Sequence, residues 1–454
     1  MVEDRTQITE TMAETAEERR GQDYPLTEVP ASARAGLFSL SMVLAGFTFF
    51  TSVMWAGGEL GVHYKFWPDL MYVVIVGDFL LGTYAAVLGY IAFSTGLHAG
   101  LLSRFCFGNK GSRWSDFLYG FTQIGWYAWG TALITDLVLQ LAGITKENTA
   151  SYPYIYVILI IFFGFFFVMT AYGGYKAMEL LSIVAVPLVT CLILYSIYVS
   201  TVKVGGLEGL QKILPKEPMT TAAAMTLVFG TFVSGATQST NWSRFASKGW
   251  HAVIASFVGF FIGNGLMIFA GAYGGYVYQD PDVARVMAMQ GMAIPAYVLL
   301  ILNVWTTQDN EIYCFSVACC NAFRIKARKG ITLTGAVIAI IMALGGIYNY
   351  LIDFIIISGT VIPPIGGTML ADWLIKHKRR YSKIAETEFK DYNLTGIGAY
   401  IIGAAAALFS PGIPPINGII AAFIAYPILD KILQAMGMSQ DHRVLAPGEG
   451  KQQV

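Results

Sequence analysis

Two groups of side chains in this 454-residue sequence have types and spacings that could do chemistry. Asn303, Thr306 and Thr307 fall at i, i+3 and i+4 within Asn303-Val-Trp-Thr-Thr-Gln-Asp-Asn-Glu311, the most polar run inside a long apolar segment. On a helix that spacing puts three neutral oxygens on one face. Such a set suits a desolvated Na+ rather than Ca2+, because a hard cation takes oxygen ligands and a low-charge site favours one positive charge. The same residue types also serve as glue between helices. Asp309 and Glu311 lie in the same run. Ionisable groups at membrane depth are costly and default to function, so H+ stands as the alternative to Na+. The second group is Gln123 and Trp126 in Gly120-Phe-Thr-Gln-Ile-Gly-Trp126. Three residues apart, they share a helix face. An amide beside a large ring suits a small planar heteroaromatic ligand, which stacks on the ring and bonds the amide. Trp packing between helices and Gln bonding a backbone is the competing reading, and Gly120, Gly125 and Gly130 weigh against it by leaving clearance.

The elements that must position these residues cross a membrane. The sequence is 55% apolar and only 13% charged, with a mean hydropathy of +0.57. Soluble proteins carry about 25% charged residues. A net charge of zero implies no general attraction to nucleic acid. The five cysteines are odd in number and most sit in apolar runs, so no disulfide framework is expected. No motif for a metal, a haem or another organic cofactor is present. No nucleophile–base pair is visible at bilayer depth, so an enzyme is not expected. A membrane sensor would need an added signalling domain, for which neither tail offers room.

The fold expected is all-α, with twelve transmembrane helices at roughly 34–56, 69–93, 115–143, 152–171, 177–200, 220–240, 250–277, 290–321, 331–345, 350–373, 395–411 and 414–436. Residues 1–33 read as a poorly ordered N-terminal tail and 437–454 as a C-terminal tail. With both termini cytoplasmic, the inner loops hold sixteen Lys and Arg and the outer loops six, a positive-inside bias. A ten-helix core (34–373) is followed by a cytoplasmic loop (374–394) and two further helices (395–436). Outside the two groups above, Asp372 is expected at the interface. Asp78 and Asp353 are expected to be buried, and paired or neutral.

Two stretches are poor helix material. Gly46-Phe-Thr-Phe-Phe-Thr-Ser-Val-Met-Trp-Ala-Gly-Gly58 lies in span one, and Gly230-Thr-Phe-Val-Ser-Gly-Ala-Thr237 in span six. In lipid a broken helix survives only where it is buried or lines a cavity. Breaks at corresponding places imply an inverted repeat of five plus five helices, 34–200 and 220–373, with the binding site between them.

The ordered set of matching motifs resembles the nucleobase–cation symporter-1 family and its bacterial cytosine-permease branch. The motifs are Val29-Pro-Ala-Ser-Ala-Arg34, Gly46–Gly58, Leu80-Leu-Gly-Thr-Tyr84, Leu88-Gly-Tyr-Ile91, Arg104-Phe-Cys-Phe-Gly108, Thr122-Gln-Ile-Gly-Trp126, Ile183-Val-Ala-Val-Pro187, Trp305-Thr-Thr-Gln-Asp-Asn310 and Ile362-Pro-Pro-Ile-Gly-Gly367. The resemblance implies a Na+-coupled importer of a nucleobase, cytosine first, working as a monomer by alternating access in a bacterial inner membrane. A purine, allantoin or hydantoin is the alternative substrate. The base would lie between Trp126 and Phe232 and bond Gln123, with further contact near Ser52 and Thr231. Sodium would sit among the carbonyls of Gly46 and Phe49 with Asn303, Thr306 and Thr307. Gln308, Asp78 and the residues of Thr237–Phe245 depart from the pattern of that branch.

Overall fold

Apolar runs punctuated by glycine and proline fold here into helices whose ends those residues set. The computed structural model describes residues 23–144, 153–215 and 219–445. The first 22 residues of the expected N-terminal tail, and 446–454 of the C-terminal one, lie outside that set. Helix occupies each apolar run, from Leu37–Thr48 and Thr51–His63 through Ser112–Leu141, Thr221–Thr237 and Ala293–Phe323 to Pro414–Ala435. Met71–Thr95 and Tyr175–Val204 each stop at a glycine with positive φ, Gly96 (74°) and Gly205 (78°), a conformation that L side chains avoid. Among the described residues, six helices are each long and apolar enough to cross a bilayer, or eight if each of two bent helix pairs counts as one span. Leu394–Phe409, with 16 residues, falls short of that standard.

The surface shows what solvent the bundle is built for. Along Tyr175–Val204, Met178, Ser182, Ala185, Val189, Ile193, Ser196 and Ser200 are buried. Leu180, Val184, Leu188, Leu194, Tyr198 and Val202 on the other side are exposed. In water an exposed apolar stripe of this kind would be an association surface. Against lipid tails it costs nothing, and the buried small residues let helices approach closely.

Span one is broken as expected. Its halves meet at 59°, across Phe49 (φ −74°, ψ 89°) and the extended Phe50 (φ −135°, ψ 133°). Gly57 and Gly58 belong to the second half and do not close the break. They pack it onto the Gly249–Tyr278 region. A methyl on Gly57 would sit 2.1 Å from the Ile268 carbonyl oxygen, and one on Gly271 would sit 1.8 Å from that of Met54. This is close small-residue packing of membrane helices.

Span six differs from expectation. Thr221–Thr237 is one uninterrupted helix, and the interruption falls just beyond it, at Gln238–Ser239, before a short turn at Thr240–Ser243. Two of the three hydroxyls in this stretch are spent on the helix itself. Thr231 Oγ1 donates to Val228 O at 2.7 Å and Thr237 Oγ1 to Val233 O at 2.9 Å.

Other expectations also change. Residues 23–33 are built into the bundle. Arg244 donates to the carbonyls of Asp23 and Tyr24 at 2.7 and 2.8 Å, and Arg328 lies 3.5 Å from the Asp23 carboxylate. Burial pushes the Asp23 carboxyl above its usual range, against the pull of Arg328 and then Arg244. Val29 N–H donates to Gly96 O at 3.0 Å, and Glu28 accepts from the Ile384 N–H at 2.7 Å. Asp372 is buried within the protein and accepts from the hydroxyls of Tyr381 and Tyr426. Asp353 is exposed. The motif that begins at Arg104 lies at the end of a buried helix, Ala99–Phe107. Its Arg104 donates to Asn321 at 2.8 Å and so ties this end of the bundle to span eight.

Candidate functional site

The break in span one exposes backbone carbonyls that no helix turn satisfies. In lipid each such group costs several kcal/mol unless a partner is supplied. Span eight, Ala293–Phe323, supplies it. Thr307 Oγ1 lies 2.8 Å from Phe49 O, 3.4 Å from Gly46 O and 3.4 Å from Asn303 O. Thr306 Oγ1 donates to Asn303 O at 2.9 Å, and Thr51 Oγ1 to Asn303 Oδ1 at 2.9 Å. Asn303, Thr306 and Thr307 are all buried. The five residues named for the ion, Gly46, Phe49, Asn303, Thr306 and Thr307, are therefore gathered in one place. A sixth, Ser182, was not singled out in the sequence. Its Oγ is buried without a partner, and a methyl on Gly46 would lie 2.5 Å from it. Among the described residues no group of three or more His, Cys, Asp or Glu side chains could hold a metal. A set of neutral carbonyl, hydroxyl and amide oxygens fits a monovalent cation and lacks the charge that a divalent one calls for.

Beside the break lies a cavity lined by Phe47, Phe50, Gln123, Trp126, Thr231, Phe232, Ser234, Gly235 and Glu311. Span three brings Gln123 and Trp126 to it on one face, as their spacing predicts. Span six brings Thr231, Phe232, Ser234 and Gly235. The first half of span one brings Phe47, the break brings Phe50, and span eight brings Glu311. The rings brace one another edge to face: Phe50–Trp126 centroids are 5.9 Å apart, Phe47–Phe232 5.0 Å and Trp126–Phe354 5.2 Å. Gly125 makes room for this, since a methyl there would meet the Phe354 ring at 2.3 Å.

Three buried oxygens at this cavity have no hydrogen-bond partner: Gln123 Oε1, Ser234 Oγ and Glu311 Oε2. Polar atoms buried in that way are rare and expensive. The chemistry on offer is thus flat apolar contact on several rings, plus a few polar atoms directed at whatever lies between them.

Four residues flagged in the sequence point elsewhere. Ser52 is buried in the first turn of Thr51–His63 and does not line the cavity. Its neighbour Thr51 makes the contact to span eight. Gln308 turns toward span three and donates to Tyr127 O at 2.8 Å. Asp309 faces Thr170 at 2.9 Å, and Trp305 Nε1 donates to the same hydroxyl at 3.2 Å. Asp78 is buried and accepts from Asn264 at 2.7 Å. Asn264 also donates to Thr231 Oγ1 at 3.1 Å, so Asp78 reaches the cavity wall through one intermediary. The sequence did hold a signal for Glu311 as a cavity residue: it stands four positions after Thr307, on the same helix face.

Comparison with known proteins follows the same lines. Residues 28–427 match the family described as permeases for cytosine/purines, uracil, thiamine and allantoin. The chain is 36% identical to the cytosine permease of Escherichia coli K12 over 405 residues, 89% of this chain and 93% of that one. Its fold is similar to that of Mhp1, a nucleobase-cation-symport-1 family transporter, in a closed conformation with bromovinylhydantoin bound. The TM-score is 0.76 at 18% identity, over 90% of this chain and 95% of the other. It is also similar to a Na+-coupled sialic acid symporter in a substrate-bound outward-open state, with TM-score 0.66 at 13% identity over 91% and 92% of the two chains.

Proposed function

Because the chain belongs to the nucleobase–cation symporter-1 family of permeases, close to cytosine permease, we propose that it imports a nucleobase, cytosine first, together with Na+. The observation that carries this reading is the adjacency of the two sites. The ring-lined cavity and the oxygen cluster share the broken span one, with Phe47 and Phe50 on the first and Gly46 and Phe49 at the second.

In this reading the base stacks between Trp126 and Phe232 and bonds Gln123, with Thr231 at the edge of the pocket. The ion takes the carbonyls of Gly46 and Phe49 and the side chains of Asn303, Thr306 and Thr307. Ion binding replaces the Thr307 contacts with cation–oxygen ones and fixes the angle between the halves of span one. That angle sets where Phe47 and Phe50 stand. Sodium thereby raises base affinity, and by linkage the base raises sodium affinity by the same factor. A ligand that bound every conformation equally would shift nothing. The chain acts as a monomer with twelve spans, five-plus-five repeats and both termini in the cytoplasm of a bacterial cell.

The test is uptake of labelled cytosine into proteoliposomes at fixed pH, with and without an inward Na+ gradient. Accumulation that follows the gradient supports the reading. Accumulation that ignores Na+ and follows a pH gradient replaces sodium with the proton. No cytosine uptake, with uptake of a hydantoin or purine instead, keeps the transporter and changes its substrate.

A further inference from the structure

The interruption of span six, at Gln238–Ser239, lies one helical turn past Ser234 of the cavity wall. It falls between that cavity and the end of the bundle where Arg244 holds the carbonyls of Asp23 and Tyr24. Broken backbone at membrane depth persists where it is buried or lines a cavity, and breaks of this kind accompany binding sites. The polar side chains at this one are unevenly served. Asn241 accepts from the Ala99 N–H at 3.1 Å and donates to Cys314 Sγ at 3.0 Å. Arg244 donates to Asn241 O and to Tyr313 Oη, each at 3.1 Å. Gln238 is fully buried, yet neither its Oε1 nor its Nε2 has a partner. Among the described residues it is the one buried amide with both ends unbonded. Four residues on, and so on the same helix side, Trp242 packs against Phe47 with ring centroids 4.4 Å apart, and its Nε1 is also unbonded. Phe47 belongs to the cavity wall. The pairing of an amide with a tryptophan, seen at Gln123 and Trp126, thus recurs one turn beyond the cavity.

Resting on the nucleobase reading above, we infer that Gln238 is a second base-bonding residue, which takes the base as it leaves the pocket toward the end that holds residues 23–33. Its carboxamide presents a donor beside an acceptor, and so does the edge of a nucleobase, so one base makes two hydrogen bonds to it. Amino and oxo bases are served alike, because the amide can turn end for end. The base moves one turn along span six and exchanges the Gln123 amide for the Gln238 amide, with a tryptophan near each. A buried amide unbonded at both ends is costly. Bonding it offsets part of the loss of the Gln123 contact, and release is divided into two smaller steps. Gln238 therefore acts on the inner side of the cycle and leaves recognition from the outer side to the pocket.

The experiment is initial-rate transport of labelled cytosine in proteoliposomes of uniform orientation, with the base presented to either face in saturating Na+. Gln238→Met keeps the volume and removes the amide. It is expected to raise KM at the inner face roughly five- to tenfold, as for one or two lost hydrogen bonds, and to leave KM at the outer face within about twofold. Its melting temperature should be no lower than that of the wild type, since an unbonded buried amide gives way to an apolar chain of similar shape. Gln238→Asn, which keeps an amide but draws it back, should shift the inner-face KM in the same direction, and it decides the matter if the Met protein does not fold. An inner-face KM that stays at the wild-type value means that water alone meets Gln238 and overturns the inference. Equal rises at both faces also overturn it, by making Gln238 a support of the pocket itself. In both cases the transporter reading stands. Failure of the wild-type protein to carry any base overturns both.

Discussion

Spans one and six contain almost the same mixture of Gly, Ser, Thr and Phe, yet one opens and the other stays helical. Span one kinks by 59° at Phe49–Phe50. Span six runs unbroken through Gly230 to Thr237. The difference lies in who satisfies the backbone. In span six, Thr231 and Thr237 bond their own helix, and nothing lies within 4 Å of where a Gly230 side chain would be. In span one the freed carbonyls of Gly46 and Phe49 are met by Thr307, from a helix about 260 residues away in sequence. A weak helix composition permits a break; a partner across the bundle makes one. The two spans consequently have different work, the first holding an ion site and the second a wall of the base pocket.

That division can be broken by substitution. The largest effect is expected at the pocket. Trp126→Ala or Phe232→Ala should cost about 1–3 kcal/mol of base binding, the usual worth of a stacked base, or roughly 5- to 150-fold. The loss should be equal with and without Na+. Calorimetric titration with cytosine in the two salts checks it, and affinity within twofold of wild type would remove stacking from the account. Next comes Thr307→Ala. It should weaken the response to Na+ roughly two- to tenfold, as for one lost hydrogen-bonding partner. A Na+ response identical to wild type would reduce span eight to packing. Smaller again is Gly46→Ala, whose methyl would press on Ser182 Oγ. A forced rotamer there is worth about 0.5–1.5 kcal/mol, and adding Ser182→Gly should return most of the Na+ response. The smallest is Gly230→Ala, expected to change the melting temperature and the Na+ response by no more than a typical surface substitution, within about 0.5 kcal/mol. A large loss there would mean that span six also opens, and the contrast between the two spans would fall.

What could be read in the sequence follows the same logic of partners. Residues that share a helix face by spacing were legible: Gln123 with Trp126, and Asn303 with Thr306 and Thr307, need only a helix to come together. Positions set by a neighbour were not. Ser52 was expected beside the base, but the cavity wall does not include it, and its neighbour Thr51 faces span eight instead. The niche of Asp372 was not legible either, because Tyr381 and Tyr426, neither adjacent in sequence, supply its partners. Glu311 was visible as an acid in a polar run, while its orientation toward the pocket depended on where spans one, three and six would stand. The segment 23–33 looked like solvated tail because its partners, Arg244, Arg328 and Ile384, are hundreds of residues away.

That last feature bears on how the molecule is made. Residues 23–29 bond the chain at Gly96 and His98, then at Tyr175, Arg244 and Arg328, and last at Ile384. Synthesis runs from the N-terminus, so this segment is produced first and completed last. A nascent chain halted anywhere before residue 384 leaves some of those bonds without their second half. The stitching of residues 23–29 is therefore a record, laid down in order, of how much of the bundle has been delivered.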